Sequence, residues 1–212
     1  MGWSEVLLKP TKRPQVNPIL QTNTDNRERV KDFFSDAFIA DAFYTCVVPN
    51  KEVRKEKTKS IFHLAFTAGL SYGQVFMNPE KTVASLWLPP GESISLFRAL
   101  RNGVVPLAFN MGVSSSLRFK SLNEQIEHAR EELASKRHWY LLLFGVDPKV
   151  QRSGLGKAML QANMQRFADS KVPFYLETFN PNNVAFYNKL GFELLEERKT
   201  KEGPVFWCME TK

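Results

Sequence analysis

The chain of 212 residues is short of cysteine, of histidine and of long apolar runs, and each shortage excludes something. Its two cysteines, Cys46 and Cys208, stand in no motif spacing, so free thiols in a reducing, cytoplasmic interior are expected rather than a disulfide framework. The three histidines, His63, His128 and His138, lack metal-ligand spacing, so no metal is expected. The longest uncharged apolar run is Trp139–Val146, far short of the ~20 residues that cross a bilayer. No apolar signal segment opens the chain. Val6 stands where a myristoylation motif places Ser or Thr, so no lipid anchor or membrane partner is expected.

Positive charge is in surplus, with a formal net charge of +7. The surplus is nevertheless mixed with acids, as in Lys51-Glu-Val-Arg-Lys-Glu-Lys-Thr-Lys59, the pattern of a solvated helix face. No nucleic-acid module signature accompanies it, so no nucleic-acid partner is expected. At 43% hydrophobic, the chain can bury one good core, and its seventeen Phe and four Trp exceed what packing alone requires. We therefore expect one domain over residues 1–212, of mixed α/β class.

Punctuation divides that domain. Pro10, Pro14 and Pro18 make residues 1–27 extended, with an edge strand near Val6–Leu8. Helical spacing of Val30, Phe33, Phe34, Ala37 and Phe38 predicts a helix over 26–42, and a second is expected over 51–68. Residues 71–77 and 82–88 read as a hairpin turning at Asn78-Pro79-Glu80-Lys81. Residues 92–136 read as a helical insertion broken at 103–112. Its apolar residues, Phe97, Leu100, Val104, Val105, Leu107, Phe109 and Met111, either complete the core or wall a pocket. Phe43, Tyr44, Phe62, Phe66 and Trp87 are further pocket-wall candidates.

The stretch richest in chemistry is Gln151-Arg152-Ser153-Gly154-Leu155-Gly156-Lys157-Ala158, directly after the apolar strand. Glycines allow positive φ and close backbone approach, and the bare N–H groups of a helix start attract anions, so the turn is suited to phosphate. Two familiar phosphate loops do not fit. A dinucleotide fingerprint needs a third glycine where this chain has Met159. A nucleoside-triphosphate loop needs a hydroxyl where it has Ala158 and a glycine where it has Gln151.

On Gln151-Arg-Ser-Gly-Leu-Gly156, on Asn180 and Asn183, and on Phe186-Tyr-Asn-Lys-Leu-Gly-Phe192, the chain resembles the GNAT superfamily of acetyl-CoA-dependent N-acetyltransferases. The resemblance covers roughly the last third. The tail, through Leu176-Glu-Thr178, Glu202-Gly-Pro204 and Trp207-Cys-Met209, is most similar to puromycin N-acetyltransferases. The resemblance implies a central twisted mixed sheet of about six or seven strands flanked by helices, splayed between the fourth and fifth strands. It also implies acetyl-CoA as cosubstrate and a small-molecule amine as acceptor, with monomer or homodimer both open. A protein N-acetyltransferase and a non-catalytic CoA sensor are the alternatives.

The resemblance assigns cofactor contacts to Val146, Gln151, Arg152, Ser153, Gly154, Leu155, Gly156, Lys157, Asn180, Asn183 and Tyr187. Backbone N–H groups from Arg152 to Lys157 are expected at the pyrophosphate, and the Val146 N–H at the thioester oxygen. A bulge at Gly145 is expected to open the ladder. Asn180 and Asn183 are equally suited to capping the next helix. Tyr187 is the candidate general acid, because a phenol lies close enough in pKa to a thiol to share its proton. Its plainer role is a packing tyrosine. Glu177 shares a strand face with Tyr175 and Phe179, where burial raises a carboxylate toward the range of a base. A buried, hydrogen-bonded Glu is the equal alternative, and His138 is a minor candidate for the same role.

Overall fold

The computed structural model describes residues 20–21, 27–92 and 109–212. The expected strand near Val6–Leu8 and most of the apolar insertion, residues 93–108, lie outside the described residues. In chain order the elements are β1 Leu20–Gln21, α1 Arg27–Ala37, α2 Ala42–Val47, α3 Lys51–Tyr72, β2 Gln74–Met77, β3 Val83–Leu88 and α4 Val113–Leu133. There follow β4 Trp139–Val146, α5 Leu155–Phe167, β5 Phe174–Thr178, α6 Pro181–Asn188, β6 Phe192–Lys199 and β7 Val205–Thr211. No helix among the described residues is long and apolar enough to cross a membrane.

The helix expected over 26–42 is two helices. The chain turns at Phe38–Ala40, and Asp41 restarts it by accepting the Phe43 N–H at 2.9 Å as the N-cap of α2. The buried Arg54 fixes this corner, donating to the carbonyls of Val48 (2.7 Å), Ile39 (3.0 Å) and Pro49 (2.8 Å). α3 starts where expected, capped by Asn50, but runs on to Tyr72, so β2 begins later than the hairpin reading has it. Gly69 allows that extension: a Cβ there would come within 2.6 Å of Leu86 Cδ1, so α3 lies unusually close to β3.

Among the described residues, seven strands form one sheet in the order β1-β2-β3-β4-β5-β7-β6, antiparallel throughout except for β4 and β5. A parallel pair needs a crossover, and α5 supplies it. Alternation along the strands feeds two cores. Tyr140 and Tyr175 face the helical layer of α1 to α4 with Phe34, Phe62, Phe66 and Leu122. Trp139, Leu141, Phe174 and Leu176 face α5 and α6 with Met159, Leu160, Phe167 and Tyr187. Buried Asn163 on α5 is satisfied by donating to Ser85 Oγ at 2.7 Å.

β4 and β5 pair only at Trp139–Phe174 and Tyr140–Tyr175; beyond Tyr140 the two strands part. The irregularity in β4 lies at Leu142, not at the expected Gly145: Leu86 faces Leu143 while Trp87 faces Leu141. Gly145 answers a different need, since a Cβ there would come within 3.1 Å of the Phe34 ring and 3.2 Å of the Phe33 ring. Helix α1 packs on bare backbone at that point.

Candidate active site

The bulge at Leu142 sets which way the backbone donors of β4 point. Before it, the Trp139 N–H bonds the Pro173 carbonyl at 2.8 Å, on the β5 side. After it, the Asp147 N–H bonds the Thr82 carbonyl at 2.8 Å, on the β3 side. Strand N–H groups alternate, so those of Val146 and Phe144 are directed into the gap left by β5. The Val146 carbonyl accepts from Gln151 Nε2 at 3.2 Å, which ties the strand end to the loop that follows.

That loop is shaped by its own bonds. Asp147 Oδ1 accepts the Lys149 N–H at 2.8 Å, and Ser153 Oγ donates to the Val150 carbonyl at 2.6 Å. Arg152 and Gly154 both take positive φ, +63° and +87°. Gly154 is the N-cap of α5 and offers no side-chain hydrogen bond, so the first-turn amides of Gly156 and Lys157 point outward. Gly156 has a packing reason: a Cβ there would lie 3.0 Å from both Phe144 Cζ and Val146 Cγ2. The bare helix start is therefore pressed against the end of β4, beside the gap. Gln151, Arg152, Ser153 and Lys157 are exposed around it.

Across the gap, Asn180 caps α6 by accepting the Asn182 N–H at 3.0 Å, and Asn183 Nδ2 donates to Thr178 Oγ1 at 3.2 Å. Asn180 thus caps the helix as the sequence offers, whereas Asn183 lies within α6 and ties it to the end of β5 instead. Asn183, unlike Asn180, also lines the cavity described next.

A cavity of about 510 Å³ opens between α2, α3, α4 and the parted strands. Its walls come from both sides of the sheet. Phe43, Ile61 and Phe119 belong to the α1–α4 layer, whereas Phe144 and Tyr187 belong to the α5–α6 layer. Only where β4 and β5 separate can one space touch both layers. Of the expected wall residues, Phe43 and Tyr44 line it. Phe62, Phe66 and Trp87 do not; they are enclosed in the core at 0%, 1% and 0% exposure, because aromatic bulk alone does not separate wall from core.

Glu177 sits on this wall two residues past the last β4–β5 pair, on the face of Tyr175 and Phe179. Its Oε1 and the Tyr175 hydroxyl are buried without a hydrogen-bond partner among the described residues. Burial raises the Glu177 pKa from 4.5 to about 7, against the opposing charge of Arg130. Arg130 lies 4.4 Å over the Tyr140 ring and 3.6 Å from Glu127 Oε1. Cys208, opposite Glu177 on β7, is pushed up to about 11 chiefly by burial, which suits a packing thiol and not a nucleophile.

Tyr187 reaches the cavity from α6, and its hydroxyl is raised above the ordinary phenol range by burial first and by the charge of Asp41 second. Asp41 itself lines the cavity, with burial lifting its pKa from 3.8 to about 6. His138 stands apart from the cavity; burial lowers its pKa, and its Nδ1 lies 2.6 Å from the Ser135 carbonyl. Sequence reading misses Asp41, Tyr140, Phe119 and Arg130. Asp41 reads as a cap, and Arg130 stands in a run of solvated charges, with only its place after Leu122, Ile126 and Ala129 on α4 hinting at burial.

Comparison with known proteins agrees with this architecture. Residues 90–192 match the model of the acetyltransferase (GNAT) family. An uncharacterized N-acetyltransferase of Schizosaccharomyces pombe is 26% identical over 165 residues, covering 74% of this chain and 66% of that protein. The chain thus spans just under two thirds of that relative's length. A structure of histone acetyltransferase HPA2 and related acetyltransferase from Corynebacterium glutamicum superposes with a TM-score of 0.63 at 18% identity, covering 91% of this chain and 94% of that one. Arylalkylamine N-acetyltransferase 2 of Aedes aegypti superposes with a TM-score of 0.58 at 12% identity, covering 92% and 97%.

Proposed function

We propose that this chain belongs to the GNAT acetyltransferase family and moves the acetyl group of acetyl-CoA to the primary amine of a small molecule. One observation carries the reading: the bare start of α5 abuts the gap between β4 and β5, and the gap opens into a largely apolar cavity. A diphosphate on the helix start and a thioester in the gap are the complement of that shape. The first-turn amides of Gly156 and Lys157, with the loop amides before them, fit the diphosphate. Arg152 or Lys157 adds charge, and Gln151, Asn180 and Asn183 flank the route.

In this reading the Val146 N–H donates to the thioester oxygen as negative charge grows there. Glu177, with a pKa near 7, takes a proton from the incoming ammonium and frees the nitrogen lone pair. The nitrogen attacks the thioester carbon and the carbon–sulfur bond breaks. Tyr187 gives its proton to the departing thiolate and regains one from the nitrogen of the new amide. The proton on Glu177 leaves to solvent, so atoms and charge balance.

The cavity's size of about 510 Å³ and its aromatic walls support a small-molecule acceptor, and the tail's resemblance to puromycin N-acetyltransferases extends this to antibiotic-like or other xenobiotic amines. We extend the proposal to a single-domain, cytoplasmic monomer or homodimer, which the free thiols of Cys46 and Cys208 support. The test is thiol release from acetyl-CoA across a panel of amines. Saturable release that requires both substrates is expected; saturable binding of acetyl-CoA with no release by any amine overturns the catalytic reading.

A further inference from the structure

The wall around Asp41 combines two features that share one chemistry. The first is aromatic density. Phe43 lies edge-on to Tyr44 at 5.0 Å and to Phe179 at 5.3 Å, and Phe38 lies 5.4 Å from Tyr44. All four rings, with Asp41, line the cavity. The second is charge. Four carboxylates line the cavity with two basic side chains; Glu124 pairs with Lys120 at 3.5 Å and Glu127 with Arg130 at 3.6 Å, which leaves Asp41 and Glu177 in excess in a chain whose overall charge is +7. The cavity is acidic where the molecule is basic. A carboxylate among aromatic faces is the complement of an organic cation, which is held by charge and by ring quadrupoles together.

The position of this wall is fixed. Arg54 binds the carbonyls on both sides of Asp41, and Arg118 on α4 donates to the Val47 carbonyl at 3.1 Å. Asp41 is also near enough to Tyr187 for its charge to be felt there, so a cation held by Asp41 lies toward the gap between β4 and β5. We propose that Asp41, with Phe38, Phe43, Tyr44 and Phe179, is the cation-recognition wall of the acceptor site, selecting apolar-bodied amines that enter as ammonium ions. The inference rests on the amine-acceptor reading above and adds to it the substrate class and the residue that selects it.

Asp41 also caps α2, and the test separates the two roles. Asparagine caps as well as aspartate, so Asp41→Asn keeps the cap and removes the charge. The probe is benzyltrimethylammonium, a cation with no N–H to acetylate, titrated calorimetrically beside CoA. The wild-type chain is expected to bind it roughly tenfold or more tightly than uncharged benzyl alcohol. Asp41→Asn is expected to lose about that factor while its CoA affinity stays unchanged and its melting temperature does not fall. Asp41→Ser, a second capping variant, gives the same reading should the asparagine form not fold. Equal affinity for cation and alcohol in the wild type, or equal cation affinity in wild type and variant, overturns the proposal. If the cation binds in an Asp41-dependent manner while no amine releases thiol, the catalytic reading falls and the cation wall stands.

Discussion

Burial does different things to Tyr187 and Glu177, and the roles proposed for them follow from the difference. A buried phenol is held protonated, which keeps a proton available for a thiolate; a buried carboxylate with a pKa near 7 is divided between acid and base at neutral pH. Tyr187→Phe is expected to lower turnover by about a hundredfold or more with acetyl-CoA affinity nearly unchanged, measured by steady-state kinetics beside calorimetry. Unchanged turnover removes Tyr187 from the mechanism. For Glu177→Gln, kcat/KM is expected to fall, and the rise in rate through about pH 7 expected of the wild type to become flat. A stability consequence has the opposite sign. Since the folded pKa of Glu177 lies above the ordinary 4.5, the native state binds more protons than the unfolded chain between those values, so stability falls as pH rises from about 4.5 to about 7. Glu177→Gln is therefore expected to melt several degrees higher than wild type at pH 8, and a lower melting temperature there contradicts the burial account. Glu177 is legible in sequence because strand alternation fixes its face. Asp41 is not, because capping and ligand recognition use the same residue type.

The gap between β4 and β5 arises from two features of β4 and of the helix after it. The bulge at Leu142 reverses the direction of the backbone donors, and the glycine loop brings the start of α5 against the strand end. The loop is fully readable in sequence, since Gly154 and Gly156 each meet a separate geometric demand. The bulge is not: it sits in an unbroken apolar run, Leu141-Leu-Leu-Phe144, with nothing to mark which leucine is extra. Gly145 attracts that assignment because it is a glycine, yet its lack of a Cβ accommodates Phe33 and Phe34 on α1. Gly156→Ala is expected to push α5 off Phe144 and Val146 by a few tenths of an ångström and to weaken CoA binding by roughly tenfold, with the fold retained. Unaltered CoA affinity in that variant denies the close approach any part in binding. The division of the first predicted helix has a similar lesson: apolar spacing carries through Phe38, and only the cap at Asp41 records the turn.

Charge and shape are distributed unevenly over the molecule. The sheet divides the core into two layers, and the parted strands allow one cavity to touch both, which brings a side chain from α6 and a carboxylate from β5 into one space. The strand order and the position of the splay follow from the motifs of the last third. The cavity wall does not, because α2 and α4 contribute aromatic residues, and α3 aliphatic ones, whose spacing suits core and cavity equally. Calorimetric titration of the folded chain with CoA and acetyl-CoA tests the central claim most directly. Saturable heat with one nucleotide per chain is the predicted result. Correctly folded protein that gives no heat with either would contradict the docking of a diphosphate at the start of α5, and with it the mechanism built on that docking.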